Sequence, residues 1–196
     1  DSESRKEENF REVLEQDLRE LGMDVTADEA GNLFFALDGD EKAEPLLFTA
    51  HMDTVVPGQS IRPVMEDGVI KSGGDTVLGG DDKSGIAAIV EAIRVMKEEK
   101  IPHRRVEVLF TVEEEIGLNG SRAADLGQVR SRYSIAMDGC GPMDEIVVNG
   151  AGQANVEIEI TGVAAHAGNS PEKGVSAVIA AADAVSAMKL LKVDEE

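Results

Sequence analysis

His51 and Asp53 stand two residues apart in the run Leu46-Leu47-Phe48-Thr49-Ala50-His51-Met52-Asp53-Thr54-Val55-Val56. In extended backbone that spacing sends both side chains to one face. A neutral imidazole at a strand end is a natural zinc ligand, and a carboxylate beside it holds the tautomer and raises the ring's basicity. Three more acidic positions follow at the ends of other segments: Asp81 in Gly79-Gly80-Asp81-Asp82-Lys83-Ser84-Gly85, Glu115 in Glu113-Glu114-Glu115-Ile116-Gly117, and Asp138 after Tyr133–Met137. Each alone reads as a solvated carboxylate. Together with His51 they make a mixed nitrogen and oxygen donor set of the kind zinc accepts. An Asp flanked by glycines suits a bridge between two metals, because Gly permits the turn. Paired metals would hold a hydroxide between them and polarise a carbonyl. Glu114, one residue from a candidate ligand, is placed to move the proton.

These residues need a scaffold, and the apolar pattern supplies one. Leu46-Leu47-Phe48 reads as a buried strand bounded by Pro45 and by Pro57-Gly58. Phe10, Val13, Leu14, Leu18 and Leu21 recur at helical spacing through Glu7–Leu21, and Gly22 is the expected stop. Met23–Thr26 and Leu33–Leu37 read as strands, Asp38-Gly39-Asp40-Glu41 as a hairpin turn, and Ile61–Met65 with Val69–Lys71 as a hairpin. The glycines before Lys83-Ser84 lead into a helix striped by Ile86, Ile89, Val90 and Ile93. Two acids stand there where a phosphate would have to approach, so cation binding is favoured over anion binding. Val106–Val112 and Tyr133–Met137 are further strands, with a short helix over Arg122–Leu126. Strands alternating with helices, and acids gathered at strand ends, predict an α/β sheet with its site along one edge.

The pattern changes after that. Ile146–Asn149 and Gln153–Thr161 follow, and the second alternates strictly at Val156, Ile158 and Ile160, as a half-buried antiparallel strand does. A boundary is expected near Gly150-Ala151-Gly152, giving segments 1–149 and 150–196. The last expected helix, Gly174–Leu191, is rich in Ala and Val and needs cover on more than one side.

A formal net charge of −20 over 196 residues argues against nucleic acid and anionic membrane surfaces as partners. Cys140 is the only cysteine, so an internal disulfide is excluded and nothing points to an oxidising compartment. It lies two residues after Asp138 and reads as a small buried hydrophobe. No segment reaches membrane-spanning length, and a cytoplasmic location is expected.

The runs at His51–Val55, Gly79–Gly85 and Glu113–Gly117 resemble, in order, the three N-terminal signatures of the M20 metallopeptidases. The wording of Leu78–Gly85 and of Lys173-Gly174-Val175-Ser176-Ala177 is most similar to the tripeptidase T branch. The resemblance implies a zinc-peptidase-like mixed sheet flanked by helices over 1–149, then the start of a smaller α+β lid and dimerisation domain over 150–196. It implies two Zn2+, with Co2+ or Mn2+ as possible replacements. His51 and Asp138 would bind the first ion, Glu115 the second, and Asp81 would bridge them, with Asp82 as the fallback bridge. Asp53 would orient His51, and Glu114 would be the general base. His166, in Gly162–Gly168, matches a lid histidine that reaches a partner subunit's site and steadies the substrate carbonyl. His103 matches nothing and reads as surface.

The implied reaction is cleavage of short peptides in the manner of a tripeptide aminopeptidase, by a homodimer. A carboxypeptidase or N-acyl amino-acid deacylase of the same family is the alternative. A non-catalytic acidic domain that binds a metal or a protein is the alternative from another class. The family has one further His ligand, which none of His51, His103 and His166 supplies. The chain is therefore expected to be a piece of a longer enzyme, cut within the lid, and weak or inactive alone.

Overall fold

The computed structural model describes residues 1–139, 141–142, 144–150, 152 and 155–189. Cys140, the centre of the expected Gly150–Gly152 boundary, the start of the Gln153–Thr161 strand and the end of the Gly174–Leu191 helix lie outside the described residues. The chain forms two compact units, Asp1–Ile146 and Val147–Glu196.

In the first unit, helix α1 (Glu8–Glu20) turns Leu14 and Leu18 into the core and packs Phe10 and Leu21 against it. Val13, expected on the same stripe, is 57% exposed because it falls outside the arc those four residues cover. Gly22 takes φ +73° and ends the helix in the left-handed conformation that glycine accepts without penalty. Strand β1 (Thr26–Ala27) pairs antiparallel with β2 (Leu33–Leu37). Next come β3 (Leu46–His51), the β4–β5 hairpin (Pro63–Glu66 and Val69–Ser72), α2 (Gly80–Glu98), β6 (Val106–Thr111), α3 (Asn119–Ala123) and β7 (Ser134–Ala136).

The main sheet runs in the order β1-β2-β6-β3-β7. β6 is antiparallel to β2 and parallel to β3, and β7 is parallel to β3. Asp38–Glu41 is therefore not a hairpin turn: it joins two strands that β6 separates, and Asp40 instead bridges to Arg104. All six residues of β6 are buried. Val106, Val108 and Phe110 join the core shared with α1 and α2, whereas Leu109 packs on the other face with Phe34, Leu47, Ala124 and Val129. That alternation is the period of a strand covered on both faces. Phe35 and Phe110 meet edge to face at 5.6 Å, and burying each ring contributes roughly 1.5–3 kcal/mol. The result is the α/β sheet that the pattern predicts and the mixed, helix-flanked form that the resemblance implies, with β3 and β6 side by side and ending together at His51 and Thr111.

In the second unit, Val163 and Val175 form an isolated antiparallel bridge, Pro171–Lys173 is a 3-10 turn, and α4 spans Ala177–Ala187. The Ser176 hydroxyl caps α4 by accepting from the Ile179 amide at 3.3 Å. No residue of α4 is buried, so the cover expected for its apolar surface is not present among the described residues. The strands expected over 146–149 and 153–161 do not form among the described residues. Alternation alone does not make a strand: the backbone needs a partner ladder, and the described residues supply only the single bridge.

Candidate metal centre

His51 ends β3 with its ring 2% exposed. Its Nδ1 lies 2.9 Å from the Asp53 carbonyl and 3.3 Å from Asp53 Oδ1, which fixes Nε2 as the nitrogen that points outward. Three acids from three different segments close around Nε2. Asp81 Oδ1 is 2.9 Å away, Glu114 Oε2 3.9 Å and Asp138 Oδ2 4.0 Å. Ligand atoms of His51, Asp81 and Asp138 fall within 4.8 Å of one another, as do those of His51, Glu114 and Glu115.

Each acid is delivered by a strand end or a helix start. Asp81 and Asp82 precede the regular part of α2, with non-helical ψ of 113° and 33°, and the peptide between them is cis. Asp82 caps that helix: its Oδ1 accepts from the Gly85 amide at 3.1 Å, three residues on. Asp82 is thus buried beneath the cluster, while Asp81 is the one in reach of His51. Glu114 and Glu115 follow β6, and Asp138 follows β7 as the chain leaves the sheet.

The electrostatics mark the cluster as short of positive charge. Burial would depress His51, but hydrogen bonds to Asp53 and Asp81 and the charges of Asp53 and Asp138 lift it to about 9. Burial works against ionised Asp53 too, yet His51, Ser4 and the amides of Glu114 and Glu115 hold it at about 2. Burial and the neighbouring Asp138 push Asp82 up to about 6. Glu114, Glu115 and Asp138 are all raised, by burial first and then by nearby carboxylates, Asp81 acting on all three, against the lowering effect of His51. Lys83 does not neutralise them. Its Nζ is buried without a hydrogen-bond partner among the described residues, 5.0 Å from the centre of the Phe10 ring, and burial lowers its pKa. Acids that repel one another around a single imidazole fit a divalent cation by charge, and their oxygens with Nε2 fit it by donor chemistry.

The other sequence-selected residues stand as follows. Asp53 is fully buried and accepts from the amides of Glu114 and Glu115 at 2.9 and 3.1 Å, so it holds their loop as well as facing His51. His166 belongs to the second unit. Its Nδ1 accepts from the amides of Gly168 and Asn169, leaving Nε2 to carry the proton of the neutral ring. His103 is half-buried and apart from the cluster, with Nδ1 2.7 Å from the Arg104 carbonyl. A separate concavity of about 880 Å3 beside α2 is lined by residues such as Phe48, Ile89, Ile93 and Met96, and contains none of the clustered acids.

Sequence reasoning missed Ser4 and Glu7. The Ser4 hydroxyl donates to Asp53 Oδ2 at 2.7 Å, and Glu7 accepts from the Glu113 amide at 3.1 Å. No local pattern signals either contact. For Asp82, the Asp-x-x-Gly spacing of a helix cap was the available signal.

The model of peptidase family M28 matches residues 32–184, which include all the clustered residues. An uncharacterised protein of Bacillus subtilis, YqjE, is 44% identical, the match covering 100% of this chain and 55% of that protein. A crystal structure described as aminopeptidase PepT from Bacillus cereus superposes with a TM-score of 0.82 at 40% identity, covering 100% of this chain and 55% of that one. One described as a tripeptidase from Staphylococcus aureus gives 0.79 at 33%, covering 100% and 54%. The chain thus spans about half the length of these relatives.

Proposed function

The chain belongs to peptidase family M28, and from that membership we propose that it is part of a metal-dependent peptidase acting on short peptides, in the manner of a tripeptide aminopeptidase. The observation that carries this reading is the convergence of Asp81, Glu114 and Asp138 on His51 Nε2. The likeness to proteins described as an aminopeptidase and a tripeptidase supports the choice of substrate. The motif resemblance to M20 enzymes, in particular to tripeptidase T, remains the finer family reading.

In the proposed arrangement His51 and Asp138 would hold one zinc ion, Glu115 would hold a second, and Asp81 would serve both. Ions bound there would polarise the scissile carbonyl and acidify a water. Asp53 keeps His51 in the tautomer that presents Nε2. Glu114, whose pKa burial raises above the ordinary glutamate value, is the carboxylate that takes a proton from the water that adds to the carbonyl carbon. It passes that proton to the amine nitrogen as the carbon–nitrogen bond breaks. His166, with Nε2–H free to donate, is assigned the substrate carbonyl, in a homodimer formed through the second unit.

Elemental analysis of the purified chain, beside Asp81→Ala and Glu114→Gln, tests the reading. About two zinc ions per chain are expected if both positions fill, and about one if only the His51 position does. Metal is lost in Asp81→Ala and retained in Glu114→Gln, while any tripeptide hydrolysis disappears in Glu114→Gln. A folded chain that takes up no divalent metal would sink the proposal.

A further inference from the structure

Residues 1–7 do more than lead into α1. They lie as a strap against the two segments that follow β3 and β6. Ser2 Oγ donates to the Met52 carbonyl at 2.7 Å, the Thr54 amide donates to the Ser2 carbonyl at 2.9 Å, and the Ser4 amide donates to the Thr54 carbonyl at 3.2 Å. Glu3 accepts from the Gly58 amide at 2.9 Å and Glu7 from the Glu113 amide at 3.1 Å. Ser2, Glu3 and Glu7 are buried, which is unusual for two acids and a serine at the start of a surface helix.

At the centre of the strap, Ser4 Oγ is 2.7 Å from Asp53 Oδ2. A carboxylate offers about four acceptor directions. Asp53 spends them on the Ser4 hydroxyl, the Glu114 amide, the Glu115 amide and the His51 ring. Ser4 is the one side-chain hydroxyl in that set, and it arrives from 49 residues away in sequence. Without it, Asp53 keeps its charge and its burial but loses one of the bonds that prevent rotation of the carboxylate. Rotation would move the charge off the His51 ring, whose Nδ1 keeps the Asp53 carbonyl at 2.9 Å, and would release the backbone that presents Glu114 and Glu115.

We propose that Ser4 is a positioning residue of the metal centre: its hydroxyl fixes the Asp53 carboxylate, and through it the Glu114–Glu115 backbone and the negative charge held against the His51 ring. The part of this that concerns metal rests on reading the cluster as a metal site; the part that concerns geometry does not.

Two measurements on the whole chain test it. The first is amide hydrogen exchange of Glu114 and Glu115 by NMR without metal, with the amides of β6 as an internal reference for global folding. The second is zinc affinity by competition with a chelator. Ser4→Ala should speed exchange at Glu114 and Glu115 by about tenfold while β6 amides stay protected, and should weaken zinc binding by about tenfold, the lower end for loss of a ligand-orienting partner. Ser4→Thr, which keeps the hydroxyl, should restore both. Val25→Ala, a core truncation away from the cluster, should lower Tm without this local pattern. The proposal is overturned if Ser4→Ala leaves both amides as protected as in the wild type, if Ser4→Thr behaves as Ser4→Ala, or if Val25→Ala reproduces the effect. A wild-type chain that binds no zinc would remove the metal reading alone, and exchange at the two amides would still decide the role of Ser4.

Discussion

Glu107 shows what a buried acid costs when it is fully partnered, and so what the clustered acids lack. It sits in the middle strand with no exposure, accepting from Arg105 Nε at 2.8 Å, from the amides of Arg130 and Ser131 at 2.9 Å each, and from the Ser131 hydroxyl at 2.7 Å. Burial opposes its ionisation, but those donors together hold its pKa below the usual carboxylate range. A folded-state pKa lower than the unfolded one makes Glu107 stabilising above about pH 4.3, and that stabilisation is lost as pH falls through the folded value. Glu107→Gln places an amide donor against donors, and should cost about 2 kcal/mol at neutral pH. Its acid-unfolding limb should be flatter than that of the wild type, read by circular dichroism from neutral pH downward. An unchanged limb would show that Glu107 is not an acid-sensitive group. Among the described residues Glu114, Glu115 and Asp138 have no such set of donors, and they are shifted the opposite way.

At the scale of elements, the loop that carries Glu114 and Glu115 is pinned at both ends by one asparagine. Asn32 Oδ1 accepts from the Val112 amide at 3.0 Å, and its Nδ2 donates to the Gly120 carbonyl at 2.9 Å and to Asp28 Oδ2 at 2.8 Å. Gly120 packs so closely that a Cβ there would lie 2.1 Å from the Val112 oxygen and 2.6 Å from Asn32 Oδ1. Gly120→Ala should therefore destabilise by about 3 kcal/mol through overpacking, measured by urea unfolding, whereas Ser121→Ala on the exposed side should be near neutral. Equal midpoints for the two variants would refute the pinning. Local pattern made much of this scaffold legible. Leu33–Leu37 forms a strand over the residues its apolar run marks, and α1 begins and ends within a residue of its periodic stretch. Acids at strand ends could likewise be read from neighbours in sequence. What could not be read was pairing between distant segments: β6 inserting between β2 and β3, or Ser4, Asn32 and Glu7 reaching partners 49, 80 and 106 residues away. The strand expected over 153–161, which does not form among its described residues, belongs to the same class, since alternation is a local property and a ladder is not.

Over the whole molecule, a net charge of −20 is spread on a fold whose basic residues do not offset it. The ion pairs on the helices are mostly short-range Arg–Glu contacts on exposed surface, such as Arg19–Glu15 and Arg94–Glu98, and contribute little individually. Long-range repulsion should therefore respond to salt. Raising NaCl from about 10 mM to about 150 mM shortens the screening length from roughly 30 Å to about 8 Å, and Tm at neutral pH should rise by a few degrees. A flat or falling Tm would mean that local pairs outweigh the net charge. The position of β6 has a consequence for how such a chain is made. Leu33–Leu37 and Leu46–His51 are both rich in apolar residues, and each pairs with a strand that lies more than fifty residues downstream of it. During synthesis at roughly 5–20 residues per second, both leave the ribosome seconds before that strand exists. For that interval Leu33–Leu37 has only the two-residue β1 beside it and Leu46–His51 has no strand partner at all, so the nascent chain carries apolar edges open to aggregation until Val106–Thr111 emerges and draws the sheet together.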